Sequence, residues 1–400
     1  MIQRKAYKFR LVPKLENRKK FAQFAGCNRV VWNKAWALIK EALSKKEKIE
    51  RYNTIAKRLP LWKLDEETAF LKDAPSQALQ QTLKDLDRAI SDFFKKQKKA
   101  PRFKKKNQND SFKYPQGFRF QSNRIFLPKV GFVKFHKSQD IEGTPKNVTV
   151  SKRAGEWYIA VQVEMEIEEP KHPSEKVIGI DMGIANFAAL SEGKILKPHN
   201  AYKKNQEKLV KEQRKLSRKK KGSKNREKQK WKIQRLHKKI VDSRLDYLHK
   251  ATTWVAKSHG KVVLEDLKIA NMTKSAKGTM ENPGKNVAAK SGLNKSILDQ
   301  GWLEFKRQLG YKLDWLGGEL VLVNPRNTSR RCQKCGQISA ENRKTQAKFK
   351  CVSCGHEDHA DINAAKNILT VGQTGLACGS NLTRRSSKQE LLVQRELLPA

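Results

Sequence analysis

The chain has 400 residues, and 86 Lys and Arg against 40 Asp and Glu give it a formal net charge of +46. This length accommodates two or three domains with sizeable cores, and such an excess of positive charge predicts a polyanionic partner, above all nucleic acid. No apolar run approaches the ~20 residues that a membrane span needs, and residues 1–7 lack the apolar segment of a signal peptide, so we expect no membrane partner.

The N-terminal part predicts one strand followed by helices. Apolar and basic residues alternate over residues 2–12, which indicates a strand that Pro13 ends. A helical pattern then runs from Asn17 to about Lys99. Its clearest stripe recurs at steps of three and four residues, at Leu79, Leu83, Leu86, Ile90 and Phe93. Such a stripe is typical of core packing.

Short strands dominate the sequence that follows, from residue 101 to about residue 167. We predict them at Phe118–Phe120, Ile125–Leu127, Phe132–Phe135, Val148–Val150 and Trp157–Val163. Several short strands in a small region favour a barrel, which the N-terminal strand would join. We therefore predict a β-barrel domain from residues 1–15 and 101–170, with a helical domain, residues 16–100, inserted into it.

A different pattern begins at residue 177. Val177–Asp181 and Lys261–Glu265 are apolar runs typical of buried strands, and each ends in a carboxylate. Residues 203–250 between them hold 20 Lys and Arg against five Asp and Glu, which predicts basic helices that bind nucleic acid; the alternative is a solvated charged face. Residues 270–296, rich in Gly, Asn, Lys and Ser, predict a mobile loop.

The C-terminal part predicts a helix, a strand and a small metal-binding segment. The helix is marked by Trp302, Phe305, Leu309, Leu313 and Leu316, and the strand Leu320–Val323 stops at Asn324-Pro325. Another helix is predicted for Asp361–Leu369. Residues 371–400 lack periodicity and predict a disordered tail.

Four of the six cysteines form two C-x-x-C pairs, Cys332 with Cys335 and Cys351 with Cys354. Their spacing predicts a zinc ribbon in which four thiolates hold one structural Zn²⁺ and leave no open position for chemistry. Such cysteine usage favours a reducing cytosol over a disulfide framework. Of the other two, Cys27 is expected in a helical core and Cys378 has no expected role.

Three acidic side chains suggest a second metal site. Asp181 and Glu265 end two buried strands, and Asp361 opens a helix after the ribbon. If they converge, their repulsion would be offset by Mg²⁺, and two ions roughly 4 Å apart would activate water for phosphodiester hydrolysis. Each residue alone has an ordinary interpretation as a cap or turn residue, and Asp358 competes with Asp361. The order strand–Asp, strand–Glu, helix–Asp is that of an RNase H-like nuclease.

These motifs resemble the TnpB family of insertion-sequence proteins, which are related to the type V CRISPR effectors. The resemblance covers residues 1 to about 370, and it is carried by Gly179-Ile180-Asp181-Met182-Gly183, Leu264-Glu265-Asp266-Leu267, Asn324-Pro325-Arg326-Asn327-Thr328-Ser329, Asp361-Ile362-Asn363-Ala364-Ala365-Lys366-Asn367-Ile368 and Arg29-Val30-Val31-Trp32-Asn33. It implies an RNA-guided DNA endonuclease of prokaryotic cytoplasm, acting at the nucleoid, that supports maintenance of the transposon. A guide RNA encoded by the element and double-stranded DNA would be its partners, and we expect a monomer in the RNA complex.

The resemblance also implies residue roles and a domain plan. Asp181, Glu265 and Asp361 would be the catalytic Mg²⁺ ligands, and the four ribbon cysteines the zinc ligands. The fold class would be α/β multidomain: a RuvC-like nuclease domain from residues 171–327 and 355–370 with the zinc ribbon, residues 328–354, inserted into it. The barrel would be wedge-like and the helical domain a recognition domain.

Four groups of residues are predicted to contact nucleic acid. Gln and Asn side chains can pair with base edges, so two patches are expected to meet at a short DNA motif, and basic side chains are expected at the RNA backbone. The groups are Ser76, Gln77, Gln80 and Gln81; Gln121, Ser122 and Asn123; Arg102, Lys104 and Lys105; and Arg218, Lys219 and Lys220. The loop 270–296 is expected to cover the carboxylates as a lid, with a disordered insertion as the alternative.

Three other functions are compatible with parts of this pattern. A non-cleaving DNA-binding regulator of transposition would not need the three acids. A stand-alone nuclease for branched DNA would need neither a charge of +46 nor about 80 residues of inserted helices. A transposase is disfavoured because the sequence offers no compact motif that pairs histidines with a tyrosine nucleophile.

Overall fold

The computed structural model describes residues 1–374, and the chain divides into two compact units, Met1–Glu168 and Glu169–Ala400. Most of the predicted tail, with Cys378, lies outside the described residues; residues 371–374 belong to the last helix.

The first unit begins with a strand, continues with helices and ends with six strands. The helices are α1 (Leu15–Ser44), α2 (Tyr52–Ala56), α3 (Arg58–Leu64) and α4 (Ser76–Phe94), with a 3-10 segment at Glu66–Asp73 before α4. The strands are β1 (Ile2–Val12), β2 (Ser111–Tyr114), β3 (Arg119–Gln121), β4 (Arg124–Leu127), β5 (Gly131–Phe135), β6 (Thr144–Arg153) and β7 (Glu156–Glu166).

The seven strands form one antiparallel sheet in the order β2-β6-β7-β1-β5-β4-β3. The predicted N-terminal strand is confirmed, and it lies in the middle of the sheet, between β7 and β5. Apolar side chains of the sheet and of α1 and α4 share one core, in which Phe21, Phe112 and Trp157 contact one another through their rings. Closure of this sheet into a barrel stays a prediction, because the pairings run from β2 at one edge to β3 at the other.

The second unit holds a sheet, helices and a two-stranded ribbon. Its strands are β8 (Val177–Met182), β9 (Ala188–Leu190), β10 (Ile195–Leu196), β11 (Lys261–Glu265), β12 (Glu319–Val323), β13 (Lys348–Lys350) and β14 (Glu357–His359). Its helices are α5 (Ala201–Ser217), α6 (Lys224–Ser258), α7 (Ile269–Met272), α8 (Val287–Gln300), α9 (Trp302–Leu316) and α10 (Ala360–Thr374), with a 3-10 turn at Ala340–Asn342.

The larger sheet has the order β10-β9-β8-β11-β12, in which β8, β11 and β12 are parallel and β9 pairs antiparallel with both β8 and β10. Alternation along the strands divides its apolar residues between two faces. Ile180 and Leu264 pack with residues of α6 and α9, whereas Val263 packs with Ile368 of α10. Helices therefore cover both faces of the sheet.

The predicted loop 270–296 is only partly a loop, because residues 270–272 lie in α7 and residues 287–296 lie in α8. The beginning of the irregular stretch is held against α8, because Asn294 donates to the carbonyl oxygen of Thr273 and Lys290 to that of Met272. Ile297 is buried in the core, where Asp299 accepts hydrogen bonds from the first turn of α5. These tertiary contacts fix the C-terminal end of α8, where its buried residues Ile297, Asp299 and Gln300 lie.

Other differences are smaller. The short strands β2, β9 and β10 are not among the predicted strands. The last helix extends to Thr374, beyond the predicted Leu369. Cys27 is buried in α1, as predicted. None of the helices described in residues 1–374 has the length and apolar character of a membrane span.

Candidate active site and zinc centre

Asp181 and Glu265 lie side by side at one edge of the larger sheet. The strands β8 and β11 run parallel with Ile180 opposite Leu264, so each acid is the next residue along its strand. Both side chains point to the face that α10 covers, because they alternate with Ile180 and Leu264 on the opposite face. The prediction that the two strands would bring these carboxylates together is thus confirmed in the structure.

Helix α10 places Asp361 in its first turn beside them. It can do so because it packs against backbone: a Cβ added to Gly179 would lie 2.3 Å from the carbonyl oxygen of Ala365. Near the other end of α10, a Cβ on Gly372 would lie 2.4 Å from Val263. The two glycines allow the helix to approach β8 and β11 more closely than any side chain would permit.

The electrostatics of the cluster reflect this crowding. Burial, together with the neighbouring carboxylates of Glu265 and Asp361, raises the pKa of Asp181 to about 7, and Arg343 opposes this rise. Burial also raises the pKa of Glu265, while the hydroxyl of Thr328, which donates to Glu265 Oε1 at 2.6 Å, lowers it. Converging carboxylates that resist ionisation are a natural site for a divalent cation, which offers the positive charge that they lack.

Asp361 is held by two residues that the sequence analysis did not identify. Arg343 Nη2 donates to Oδ1 at 2.8 Å, and Asn186 Nδ2 donates to Oδ2 at 3.0 Å. Arg343 comes from the cysteine-bearing segment and Asn186 from the turn between β8 and β9. These contacts span 18 and 175 residues along the chain, so no local pattern could have predicted them. The competing acid, Asp358, pairs with Lys366 instead.

The four cysteines form the second cluster. In the described part of the chain they are the group whose metal-binding atoms all lie within 4.8 Å of one another; the three carboxylates do not meet that separation. Sγ of Cys335 lies 3.5 Å from that of Cys351, and Sγ of Cys332 lies 3.7 Å from that of Cys354. A tetrahedral zinc with Zn–S bonds of about 2.3 Å requires sulfur separations of roughly 3.8 Å. The cluster therefore fits one zinc ion.

Each cysteine pair lies in a tight backbone turn. The N–H of Gly336 donates to Cys332 O and that of Gly355 donates to Cys351 O, and both glycines have a positive φ. The backbone N–H of Cys354 lowers the pKa of Cys351 to about 6, which favours the thiolate that zinc binds. The buried Asn342 then ties the two turns together, donating to Gln337 O and accepting from Val352 N.

The predicted nucleic-acid contacts lie at different places in the two units. Ser76 and Gln80 are exposed on α4, and Ser122 and Asn123 form the turn between β3 and β4, with Ser122 at a φ of 52°. Arg218, Lys219 and Lys220 lie in the turn between α5 and α6, and the first and last of them are exposed.

The segment that carries Arg102, Lys104 and Lys105 is fastened to α1. Trp32 Nε1 donates to Arg102 O at 3.0 Å, and the amide of Asn33 both donates to Lys104 O and accepts from Lys104 N. The Lys104 ammonium lies 3.8 Å from the Trp32 ring centroid. The segment is therefore held in place by its backbone, with the side chains of Arg102 and Lys105 exposed.

Comparisons with known proteins agree with this layout. A family model described as a probable transposase matches residues 160–276, a model for the TNB domain of Cas12f1-like proteins matches residues 302–368, and a helix-turn-helix model matches residues 1–48. In this structure the last range holds β1 and the single long helix α1.

Two relatives match almost the whole chain. The protein named "Putative RNA-guided DNA endonuclease InsQ" of Escherichia coli K12 is 50% identical over 388 residues, 96% of each chain. A "Putative RNA-guided DNA endonuclease" of Streptomyces pristinaespiralis is 33% identical, over 96% of this chain and 94% of its own. Among solved structures, a Cas12f1–sgRNA–target DNA complex shares the fold at 15% identity, with a TM-score of 0.50 over 92% of this chain and 98% of its own.

Proposed function

The chain belongs to the TnpB family, and from this premise we propose that it is an RNA-guided endonuclease that cleaves double-stranded DNA, with Asp181, Glu265 and Asp361 as its catalytic residues. The observation that carries the proposal is the convergence of these three acids at one sheet edge, where burial and mutual repulsion raise the pKa of Asp181 to about 7. The strand order, in which β9 runs opposite to the other four strands of the sheet, supports an RNase H-like nuclease core.

The donor set of this site suits Mg²⁺, which prefers carboxylate oxygens and retains positions for water and phosphate. When bound, two such ions would activate a water molecule and stabilise the leaving oxygen of a phosphodiester. Asp181 and Glu265 would form the fixed side of the site, because both extend from paired strands. Asp361 would complete it from α10 once Arg343 releases its carboxylate, and the freed guanidinium is then available to bind a phosphate.

The four cysteines would hold one structural zinc, with no open position for catalysis. The zinc would stabilise the segment that carries Arg343, since Asn342 ties together the two cysteine turns immediately before it. In this proposal the ribbon contributes to the active site without touching the reacting atoms.

Guide RNA pairing would supply the sequence specificity, so the protein would mainly contact nucleic-acid backbone. The basic helices α5 and α6 and the turn Arg218–Lys220 are the proposed surface for the RNA–DNA duplex. The amides of α4 and of the β3–β4 turn, exposed at Gln80 and half-buried at Asn123, are the proposed readers of the short DNA motif. The protein would act as a monomer in the RNA complex, at the nucleoid of a prokaryotic cell, and support maintenance of its own transposon.

The proposed lid is shorter than the sequence suggested, because α8 is anchored in the core. We confine it to residues 275–286. This segment begins after Thr273 and Lys274, whose carbonyl oxygens accept from Asn294, and it ends where α8 begins. A Gly/Ser replacement of this stretch is expected to alter cleavage or its dependence on guide–target match, with binding unchanged. Wild-type rates and wild-type sensitivity to mismatches would leave only an insertion without effect.

Cleavage of plasmid DNA by protein purified with its RNA tests the main proposal. We expect Mg²⁺-dependent double-strand breaks beside sites that match the RNA, and none with Asp181→Ala or Glu265→Ala. Target binding without cleavage by the wild-type complex would indicate a regulator of transposition. Cleavage that persists after removal of the RNA would indicate a stand-alone nuclease.

A further inference from the structure

Two asparagine side chains on α10 bind the backbone that leads into the cysteine cluster. Asn363 Nδ2 donates to Arg331 O at 2.9 Å, and its Oδ1 accepts from Gln333 N at 3.1 Å. One turn later, Asn367 Nδ2 donates to Arg331 O at 2.6 Å and to Thr328 O at 2.9 Å. Asn363 is fully buried and Asn367 is 2% exposed. Buried amides must have partners, so these bonds fix residues 328–333 to the helix.

The same segment reaches the carboxylate cluster through Thr328. Its hydroxyl donates to Glu265 Oε1 at 2.6 Å and also lies 3.2 Å from Pro325 O. The hydroxyl has one proton, and the shorter contact, to an ionisable acceptor, is the stronger hydrogen bond. Thr328 is 4% exposed, so water does not compete for this bond. The orientation of Glu265 is thereby set by a residue outside the sheet.

These contacts connect the two sides of the proposed active site. Asp361 and Asn367 belong to the same helix, Asn367 holds the Thr328 carbonyl, and the Thr328 hydroxyl holds Glu265. Asn363 binds the backbone of both Arg331 and Gln333, and Cys332 lies between them. Zinc bound at Cys332 would therefore rigidify the same segment, residues 328–333. A side chain that orients a metal ligand in this way commonly changes metal affinity by 10- to 100-fold when it is removed, as a general order of magnitude.

We propose that Thr328 and Asn367 are positioning residues, through which the zinc ribbon holds Glu265 at the correct distance from Asp361 for cation binding. The effect on DNA cleavage rests on the proposed function, whereas the effect of Thr328 on cation affinity can be measured without it. It concerns the contacts of Glu265, and neither residue would touch substrate.

The test compares two substitutions at one position. Thr328→Val keeps the shape and removes the hydroxyl, whereas Thr328→Ser keeps the hydroxyl. The matched control is Thr252→Val, which removes the hydroxyl of another fully buried threonine of the same unit, bonded to Leu248 O and Gln308 Oε1 away from the acids. Mn²⁺ affinity is measured by calorimetry on zinc-loaded protein without nucleic acid, and the Mg²⁺ concentration for half-maximal cleavage is measured on the RNA complex.

We expect Thr328→Val to weaken Mn²⁺ binding and to raise the Mg²⁺ requirement, each by about tenfold. Thr328→Ser should stay within about twofold of wild type, and Thr252→Val should bind Mn²⁺ as wild type does. All variants should retain one zinc per chain; if Thr328→Val does not fold, Thr328→Ala replaces it.

Equal Mn²⁺ affinity in Thr328→Val and wild type overturns the inference, as does a serine variant as weak as the valine variant. Absence of Mn²⁺ binding to wild-type protein also overturns it. A wild-type complex that binds Mn²⁺ without cleaving DNA contradicts the proposed function alone, because the comparison of affinities still decides the role of Thr328.

Discussion

The two acids that compete for the third position of the proposed active site, Asp361 and Asp358, have different partners. Asp361 faces the other carboxylates and contributes to the raised pKa of Asp181, whereas the Asp358 carboxylate pairs with Lys366 of α10 at 2.8 Å. Asp361 is also paired, with Arg343 at 2.8 Å, so the difference lies in position: of the two acids, Asp361 is the one that acts on the pKa of Asp181. Geometry therefore favours Asp361 as the third ligand.

We predict that Asp361→Asn lowers the cleavage rate by at least about 10³-fold, because loss of a metal ligand removes several kcal/mol of transition-state stabilisation. Asp358→Asn, the matched control, should cleave within about threefold of wild type. Single-turnover cleavage of a labelled target measures both. RNA and DNA affinity should be unchanged in each variant, since these depend on Lys and Arg. A cleaving Asp361→Asn together with an inactive Asp358→Asn would reverse the assignment.

Arg343 gives Asp361 the positive charge that a cation would otherwise supply. The pair is partly buried, with side-chain exposures of 22% and 13%, and its N···O distance is 2.8 Å. A cation that binds Asp361 must compete with this guanidinium. The strength of that competition can be measured without nucleic acid, and so apart from any contact of Arg343 with phosphate.

We predict that Arg343→Met tightens Mn²⁺ binding to the free protein by roughly fivefold, which corresponds to an ion pair of about 1 kcal/mol. Calorimetry checks the value. Lys344→Met is the control, because Lys344 is the next residue, is exposed and pairs with Glu341 away from the acids. Unchanged or weaker Mn²⁺ binding in Arg343→Met would show that the arginine does not compete with the cation.

At this scale the sequence predicts residues whose chemistry is marked by local context. Asp181 and Glu265 follow apolar runs, and the cysteines have a spacing that is informative alone. Arg343 and Asn186 have no distinctive local sequence pattern, because each is an ordinary polar residue in a loop that only folding brings to Asp361. Thr328 lies in one of the motifs that carry the family resemblance, yet its bond to Glu265 spans 63 residues and could not be inferred.

Among the elements, α10 depends on the absence of a side chain at Gly179. A methyl group there would lie 2.3 Å from Ala365 O, 2.6 Å from Leu369 N and 2.8 Å from Leu369 Cβ. Two of these three atoms are backbone, so rotation of a side chain cannot relieve the clash. The helix would have to move away from β8 and carry Asp361 with it.

We predict that Gly179→Ala destabilises the protein by about 1–3 kcal/mol, the usual cost of overpacking, and that cleavage falls further than this loss of folded protein explains. Thermal unfolding and single-turnover cleavage measure the two effects. Gly292→Ala in α8 is the control, because a Cβ there meets nothing within 4 Å. That substitution should stabilise the helix by up to about 1 kcal/mol and leave cleavage unchanged. Wild-type cleavage in folded Gly179→Ala would show that α10 need not lie so close.

Elements with long, uniform patterns were predicted well, and the others depended on tertiary contacts. The strand β11 has the predicted bounds, and α9 begins at the predicted Trp302. Within α8, Gly292, Asn294 and two serines favour a loop, and the segment is helical because its far end is fixed by buried Ile297 and by Asp299, which accepts from Arg244 and from the first turn of α5. A single sequence does not reveal such anchoring.

For the whole molecule, the net charge of +46 is the dominant constraint. Few acids are available within α5 and α6 to neutralise it: Glu212 pairs with Lys215, Asp242 with Lys238 and Asp246 with Lys250. Most basic side chains between residues 203 and 250 therefore lack an acidic neighbour in that stretch, where Lys and Arg outnumber Asp and Glu by 20 to five. Phosphates of a bound nucleic acid would supply the missing negative charge, with release of counterions.

The turn between α5 and α6 separates this interpretation from that of a solvated charged face. We predict that replacing Arg218, Lys219 and Lys220 together by Gln weakens RNA binding and reduces the slope of log affinity against log salt by about 2 to 3, near one unit for each phosphate that is no longer neutralised. The substitution Lys45, Lys46 and Lys48 to Gln removes the same charge from the segment after α1 and controls for net charge alone. Binding titrations between about 50 and 300 mM salt give the slope for each triple variant. Equal slopes in the two triple variants would mean that the α5–α6 turn affects RNA binding only through the net charge of the protein. A slope equal to that of wild type would mean that the turn is a solvated charged face that does not contact phosphate.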